Sequence, residues 1–225
     1  MQAPSLSHCM EPLATWLRQM TWDVYHLVVH TVTAFVLAGG KSLRMGRDKA
    51  FLELGGRTLL SLALDAAAAV APNVRIVGSA AKFAAFGPVV EDMYPERGPL
   101  AGIHAALASS ATDLNLIIAV DLPFLHPSFL QYLISQARES PAVVVVPRTD
   151  EGLQPLCAMY RRSFAEVAER SLRAGKNKID SLFAEVHTRI IDPEELTQNR
   201  FQQEMFHNLN TEQEWTAAQT RLPPM

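Results

Sequence analysis

The sequence predicts an α/β fold in three layers, with a mostly parallel central sheet covered by helices on both faces. From Thr31 onward, short apolar runs alternate with longer segments of helical periodicity, which is typical of β-α-β units. Such runs are expected where strands of a parallel sheet are buried on both faces. No internal repeat or low-complexity linker interrupts the pattern, so we expect one domain over residues 31–225.

The predicted elements follow from the apolar periodicity. Strands are predicted at Thr33–Ala38, Val74–Gly78, Val89–Glu91, Leu114–Val120, Ala142–Pro147, Leu153–Tyr160 and Val186–Ile191. Helices are predicted at Thr58–Val70, Ala80–Phe86, Pro99–Ser109, Pro127–Arg138 and Ser163–Arg173. Two late helices are predicted to start at Asp192 and Thr211, because a glutamate follows each three residues later in a capping-box arrangement.

Composition and charge exclude several classes of protein. The 225 residues are 48% hydrophobic and 19% charged, which is a globular composition. The net charge of −3 gives no broad positive field for nucleic acid, so any anion has to be bound locally. Two cysteines, Cys9 and Cys157, make neither a disulfide framework nor a zinc site, and we expect a cytoplasmic protein.

Residues 1–30 are predicted to be an N-terminal extension whose structure the sequence leaves open. The apolar stretch Val24–Gly40 contains two histidines and is too short to span a bilayer, so we expect no contact with a membrane. A secretory leader is not indicated, because no compact apolar run leads to a cleavage site. A short amphipathic helix and a frayed leader are the alternatives.

The densest signal for chemistry is the loop after the first predicted strand, residues 37–49 (LAGGKSLRMGRDK). Glycines at a strand end let backbone N–H groups approach phosphate closely. The loop also carries cations that are able to neutralise a triphosphate, namely Lys41, Arg44, Arg47 and Lys49. It matches neither the P-loop nor the Rossmann glycine pattern, and a basic surface turn is the alternative.

Asp121 directly follows the apolar run Leu114–Val120 and is expected at the carboxyl end of a buried strand. Ligands bind at this edge of open α/β sheets, and one or two carboxylates with phosphate oxygens suffice for Mg²⁺. The position therefore favours a metal ligand. An aspartate that only stabilises the turn before Pro123 is the alternative.

Two further residues carry weaker signals. Asp92 follows a predicted strand, where a carboxylate is able to hold a ribose hydroxyl; a plain strand-to-helix connection explains the segment equally well. Asn210 offers an uncharged oxygen to Mg²⁺, although a turn before a helix cap is the more ordinary explanation.

Taken together, these segments resemble the molybdenum cofactor guanylyltransferase family of the nucleotidyltransferase superfamily. The matching segments are the loop at 37–49, GPLAGI at 98–103, DLPFL at 121–125, QPLCAMY at 154–160 and NLNT at 208–211. They span roughly residues 31–218 in the family's order. The resemblance implies a three-layer, Rossmann-like nucleotidyltransferase fold. The family normally begins close to its first strand, whereas residues 1–30 precede it here.

The resemblance also implies a reaction. GMP is transferred from GTP to molybdopterin, which gives molybdopterin guanine dinucleotide and pyrophosphate, with Mg²⁺ as cofactor. GTP and molybdopterin are then the substrates, and nucleic acid and membranes are not partners. Contact with other molybdenum cofactor enzymes is expected to be transient.

By the same resemblance, each candidate residue receives a role. The nucleotide and its phosphates are held by Leu37, Ala38, Gly39, Gly40, Arg44 and Lys49. Asp92 helps to seat the nucleoside, and Asp121 binds Mg²⁺ with Asn210 as an additional ligand. Asn208 lies near the acceptor. The catalytic residues implied are Arg44, Lys49 and Asp121. We expect the cations of the loop, Lys49 among them, and the carboxylate of Asp121 to converge on one metal-bound nucleoside triphosphate.

Two other functions are open at this point. A cytidylyltransferase that uses CTP usually carries LAAG in the first segment, whereas Gly39 here lacks that methyl group and leaves more room for a purine. A non-catalytic nucleotide sensor would keep the glycine loop, but it has no need of Lys49 and Asp121 together.

Overall fold

The computed structural model describes residues 31–39, 48–209, 214–215 and 218. In chain order, its strands are β1 (Val32–Leu37), β2 (Glu53–Leu54), β3 (Arg57–Thr58), β4 (Asn73–Val77), β5 (Val89–Val90), β6 (Leu114–Ala119), β7 (Val144–Thr149), β8 (Gly152–Leu153), β9 (Cys157–Arg161) and β10 (Thr188–Ile191). Its α-helices are α1 (Leu59–Ala68), α2 (Ala80–Phe83), α3 (Pro99–Ser109), α4 (Pro127–Glu139), α5 (Phe164–Arg173) and α6 (Pro193–Gln198). Short 3₁₀ helices lie at Lys49–Phe51, Asp180–Glu185 and Gln203–Phe206.

The central sheet has the strand order β10-β7-β9-β6-β1-β4-β5, and β8 pairs with β7 at its side. β1 pairs in parallel with both β4 and β6, and β5 pairs in parallel with β4. Strand β9 runs antiparallel between β6 and β7. The prediction of a mostly parallel α/β sheet is therefore confirmed.

The sheet carries a hydrophobic core on each face. On β1, Ala34 and Val36 join the core that contains residues of α1 and α4, whereas Phe35 and Leu37 join the core that contains residues of α3 and α5. Successive side chains of a strand point to opposite faces, so a strand between two cores is buried along its whole length and mostly apolar. Every residue of β1 and of β6 is accordingly buried.

One predicted strand is wrong. The segment Leu153–Tyr160 is not continuous, because β8 ends at Leu153 and β9 begins at Cys157. Between them the chain turns, and the Cys157 N–H donates to the Gln154 carbonyl over 3.0 Å. Pro155 lies in this turn, and a proline has no N–H for a ladder, so the interruption has a local cause.

A hairpin that the sequence analysis did not predict joins β2 and β3. Its two turn residues, Gly55 and Gly56, have φ of 58° and 72°. A two-residue turn with both residues in the left-handed region suits glycine, which has no Cβ. The Gly-Gly pair was therefore an available signal for this hairpin.

The late part of the chain agrees with prediction in part. The Asp192 side chain caps α6 by accepting from the Glu195 N–H over 2.9 Å. The helix expected to start at Thr211 and the extension at residues 1–30 lie outside the described residues. No helix within the described ranges combines the length and the apolar character that crossing a bilayer requires.

Candidate active site

The carboxyl ends of β6, β1, β4 and β5 lie at one edge of the sheet, because these neighbouring strands are parallel. The chain moves from β1 to β4 on one side and later reaches β6 on the other side of β1. Open α/β sheets bind ligands in the crevice at such a switch point. Ala38, Asp92 and Asp121 follow β1, β5 and β6, so all three lie along this edge.

Lys49 and Asp121 meet at this edge. The Nζ atom of Lys49 lies 3.4 Å from Oδ2 of Asp121, although 72 positions separate the residues in sequence. Their side chains are 15% and 22% exposed, so the pair is sheltered and still open to a ligand. The structure thus brings together the two residues whose convergence the sequence predicts.

Lys49 is placed by a capped 3₁₀ turn, Lys49–Phe51. The Asp48 carboxylate accepts from the Ala50 N–H over 3.2 Å, and the Lys82 ammonium donates to its other oxygen over 2.7 Å. Ala50 is fully buried and anchors the turn. Asp48 is a positioning residue that the sequence analysis missed, although an aspartate before a short helical turn is a capping signal.

Asp121 is held through its backbone on both sides. The Val120 N–H donates to the Leu37 carbonyl over 3.1 Å, which extends the β1–β6 pairing to the end of the strand. The Leu209 N–H donates to the Asp121 carbonyl over 3.3 Å. Asn208 is exposed and precedes Leu209, so the predicted acceptor-side residue lies beside this link.

The end of β1 is closed by hydrogen bonds to β4. The N–H groups of Ala38 and Gly39 both donate to the Val77 carbonyl, over 2.9 and 3.1 Å. These two amides are therefore engaged within the protein in this structure. Leu37, the last residue of β1, packs against α3 at Gly102. The approach is so close that a Cβ at Gly102 would lie only 2.5 Å from Leu37 Cδ2.

Asp92 lies in a small polar cluster between β5 and α3. Its Oδ1 accepts from the Tyr94 N–H over 2.8 Å, and the Tyr94 ring meets His104 edge-on at a centroid distance of 5.2 Å. Burial raises the pKa of Asp92, and the hydrogen bond from Tyr94 and the nearby His104 oppose that rise. Burial likewise lowers the pKa of His104, which is 3% exposed, so the neutral imidazole is favoured.

The spacing of the candidate residues suits one extended ligand. Asp121 follows β6 and Asp92 follows β5, which are three strand spacings apart in the order β6-β1-β4-β5. At ~4.8 Å per spacing, the two carboxylates are separated by about 14 Å along the edge. That span suits a nucleoside triphosphate with its phosphates near Asp121 and its nucleoside near Asp92.

Some predicted site residues cannot be placed. Gly40 and Arg44, together with Lys41 and Arg47, lie outside the described residues, and so does Asn210. Within the described ranges, no three histidine, cysteine, aspartate or glutamate side chains gather closely enough to hold a metal ion. Among the described residues, Asp121 is the candidate metal ligand at this edge.

A groove of about 560 Å³ opens in the second half of the chain. Its walls include Thr149 at the carboxyl end of β7, Asp150, Arg200, Gln203 and His207. Strand β7 runs in the same direction as β6, because both are antiparallel to β9. The groove therefore opens at the same sheet edge, but Lys49 and Asp121 do not line it.

Known proteins are similar to this chain in both sequence and fold. The family model described as a MobA-like NTP transferase domain matches residues 34–190. A molybdenum cofactor guanylyltransferase from Desulfosudis oleivorans is 34% identical over 194 residues, which cover 85% of this chain and 96% of that protein. A probable molybdenum cofactor guanylyltransferase from Carboxydothermus hydrogenoformans is 33% identical, over 81% of this chain and 92% of that protein.

The class of fold is indicated by similar solved structures. The 4-diphosphocytidyl-2C-methyl-D-erythritol synthase of Anaerococcus prevotii has the same fold at 14% identity, with a TM-score of 0.63 over 85% of this chain and 95% of that chain. Molybdopterin-guanine dinucleotide biosynthesis protein A of Archaeoglobus fulgidus is 26% identical. Its TM-score is 0.75, over 84% of this chain and 97% of that chain. The fold is thus that of a nucleotidyltransferase. Within that class, the chain belongs to the molybdenum cofactor guanylyltransferase family, as its motifs predict.

The polar cluster predicts a pH dependence of stability. Because the pKa of His104 in the folded protein is below its ordinary 6.5, the unfolded chain binds this proton more readily. The free energy of unfolding should therefore fall as the pH drops below about 6.5, until the folded-state pKa is passed. Denaturant unfolding near pH 7.5 and pH 5.5 would measure the loss, and His104→Leu should reduce it.

The exposed histidine His126 provides the control for this experiment. His126→Leu should keep the wild-type loss of stability between the two pH values. An NMR titration in which the midpoint of His104 is at or above 6.5 would contradict the effect of burial.

Proposed function

We propose that this protein transfers GMP from GTP to molybdopterin, producing molybdopterin guanine dinucleotide and pyrophosphate. The observation that carries the proposal is the meeting of Lys49 and Asp121 at the switch point of the sheet. The names of the relatives supply the substrates, since the curated proteins are molybdenum cofactor guanylyltransferases. We assign the triphosphate to the Lys49–Asp121 end and the nucleoside to the Asp92 end.

In the proposed reaction, an oxygen of the acceptor phosphate attacks the α-phosphorus of GTP. The bond from that phosphorus to the oxygen bridging the α- and β-phosphates breaks, and pyrophosphate leaves with the electron pair. Because the acceptor phosphate is already ionised, the protein needs no general base. Lys49 would stabilise the negative charge that gathers on the leaving phosphates. Arg44 would share this task.

We propose Mg²⁺ as the metal and Asp121 as its protein ligand. The donor set fits, because Mg²⁺ commonly takes one or two carboxylates and completes its shell with phosphate oxygens and water. Asp121 presents a partly exposed carboxylate at the edge assigned to the phosphates. When bound, Mg²⁺ would supply charge neutralisation and orientation of the triphosphate. We further propose Asn210 as an additional ligand.

The acceptor is assigned to the second half of the chain. Asn208 is exposed beside the Leu209–Asp121 hydrogen bond, which places it next to the assigned phosphate end. The groove that Arg200 and His207 help to line opens at the same edge. We propose that molybdopterin approaches from this side, so that its phosphate reaches the α-phosphate of GTP.

Further expectations about the whole protein are also proposals. Residues 31–225 would form one domain, which the central sheet supports because it contains both β1 and β10. A cytoplasmic location agrees with the buried free thiol of Cys157. The product would pass to other molybdenum cofactor enzymes through transient contact.

The nucleotide specificity tests this function directly. We expect Mg²⁺-dependent release of pyrophosphate from GTP in the presence of molybdopterin, with much slower release from CTP and ATP. CTP is the less favoured donor, because the curated relatives are guanylyltransferases. A preference for CTP would replace the guanylyl assignment with a cytidylyl one. Binding of a nucleotide without turnover, given intact acceptor, would indicate a sensor.

Removing either member of the central pair should abolish most of the turnover. We expect Lys49→Ala and Asp121→Ala each to lower kcat about 100-fold or more, the usual cost of losing a donor aimed at developing charge. Both side chains are partly exposed, so the fold should survive, as circular dichroism would verify. Matched controls are Lys178→Ala, an exposed lysine, and Asp65→Ala, from an exposed ion pair with Arg57. Near-normal turnover of either site variant would refute the roles assigned.

Gly39 should influence the choice of base. A Cβ at Gly39 would lie 3.6 Å from Gly78 Cα and 3.7 Å from the Val77 carbonyl oxygen, which are ordinary contacts, so the fold tolerates a methyl group. Gly39→Ala should therefore fold normally while crowding a purine at this exposed position. We expect kcat/KM for GTP to fall about tenfold, as a methyl group in a specificity pocket commonly causes, with less effect for CTP. An unchanged ratio of the kcat/KM values for GTP and CTP would show that Gly39 does not contact the base.

A further inference from the structure

We propose that Tyr94 is a positioning residue for the nucleoside, and that it acts by fixing the carboxylate of Asp92 against the helix pair α3 and α5. The inference rests on the proposed function, because Asp92 is assigned there to the nucleoside. Tyr94 lies outside every motif that carries the family resemblance. Its contacts alone single it out.

Asp92 needs support because of its place in the sheet. It follows β5, which has two residues and is the edge strand of the described sheet, where it pairs with β4. The connection from β5 to α3 also contains Glu96, whose φ of 67° is unusual for a residue with a Cβ. The position of the Asp92 carboxylate therefore depends on contacts from neighbouring residues.

Tyr94 supplies that support through its backbone and its side chain together. Its N–H donates to Oδ1 of Asp92 over 2.8 Å, and this bond orients the carboxylate. We assign the other oxygen, Oδ2, to a nucleoside hydroxyl. Its hydroxyl donates to Oε1 of Glu169 on α5 over 3.2 Å. Arg173 on the same helix lies 3.5 Å from that hydroxyl and pairs with Glu169 over 2.6 Å. One residue thus joins the sheet edge to α5.

His104 completes the support from α3. Its ring packs edge-on against Tyr94, and its Nδ1 is the one buried side-chain nitrogen or oxygen without a hydrogen-bond partner among the described residues. The neutral imidazole that burial favours provides packing against Tyr94 and no full charge for Asp92. The orientation of the Asp92 carboxylate therefore depends on Tyr94 more than on an ion pair with His104.

The test compares two tyrosines in equilibrium binding. Tyr94→Phe removes the hydroxyl bonded to Glu169, and the control Tyr132→Phe removes a hydroxyl that donates to Glu195 over 2.6 Å on the other face of the sheet. The probes are GTP, 2′-deoxy-GTP, 3′-deoxy-GTP and inorganic tripolyphosphate. We expect Tyr94→Phe to raise the Kd for GTP roughly fivefold, because the less firmly held Asp92 forms a weaker hydrogen bond with the nucleoside hydroxyl.

The pattern across the probes distinguishes positioning from a general loss of structure. Tyr94→Phe should bind tripolyphosphate as the wild type does, and it should discriminate less between GTP and the deoxy analogue that lacks the hydroxyl held by Asp92. Its kcat at saturating GTP should stay close to that of the wild type. Glu169→Gln, which keeps an acceptor oxygen, should behave like the wild type, whereas Glu169→Ala should resemble Tyr94→Phe.

Two results would overturn the role of Tyr94 alone. One is a Tyr94→Phe protein that binds GTP and both deoxy analogues as the wild type does. The other is an equal loss of GTP affinity in Tyr132→Phe, which would indicate a general effect of weakened packing. Failure of the wild type to bind GTP at all would instead overturn the proposed function.

Discussion

The parallel pairing of β1 with both β4 and β6 is the constraint on which the rest of the site depends. It puts the carboxyl ends of the central strands at one edge and places a later strand on each side of β1. Lys49, which comes soon after β1, and Asp121, which comes directly after β6, then meet although most of a domain's first half separates them. The charges of the site are thus brought together by sheet topology, and local hydrogen bonds only refine their positions.

Around this constraint, the supports of the site come from several layers. Asp48 fixes the turn that bears Lys49, and it is in turn held by Lys82 of α2. The Leu209 N–H donates a hydrogen bond to the backbone carbonyl of Asp121. Tyr94 links the outer strand to α5. Asp48, Leu209 and Tyr94 lie on separate segments of the chain, so each supports a different part of the edge.

The sequence was informative where burial or chain direction decides the structure. Apolar runs predicted β1 and β6, apolar periodicity predicted α3, and the rule of carboxyl ends predicted that Lys49 and Asp121 converge. It was uninformative where contacts join distant elements, as in the Tyr94–Glu169 bond, because local patterns do not show which helices pack together. The break before β9 was predictable from Pro155 and was overlooked because the surrounding residues are apolar.

The reversed direction of β9 has an implication for how such enzymes diversify. Because β9 starts at the edge where β6 ends, the turn before it, residues 154–156, lies beside the end of β6, and the Leu156 carbonyl accepts from the Ala119 N–H over 2.8 Å. That turn belongs to neither β1 nor β4. Under the proposed assignment, insertions or exchanges in this turn would alter the acceptor side of the site while β1 and β4 stay unchanged, so acceptor specificity is able to evolve separately from the binding of the nucleotide.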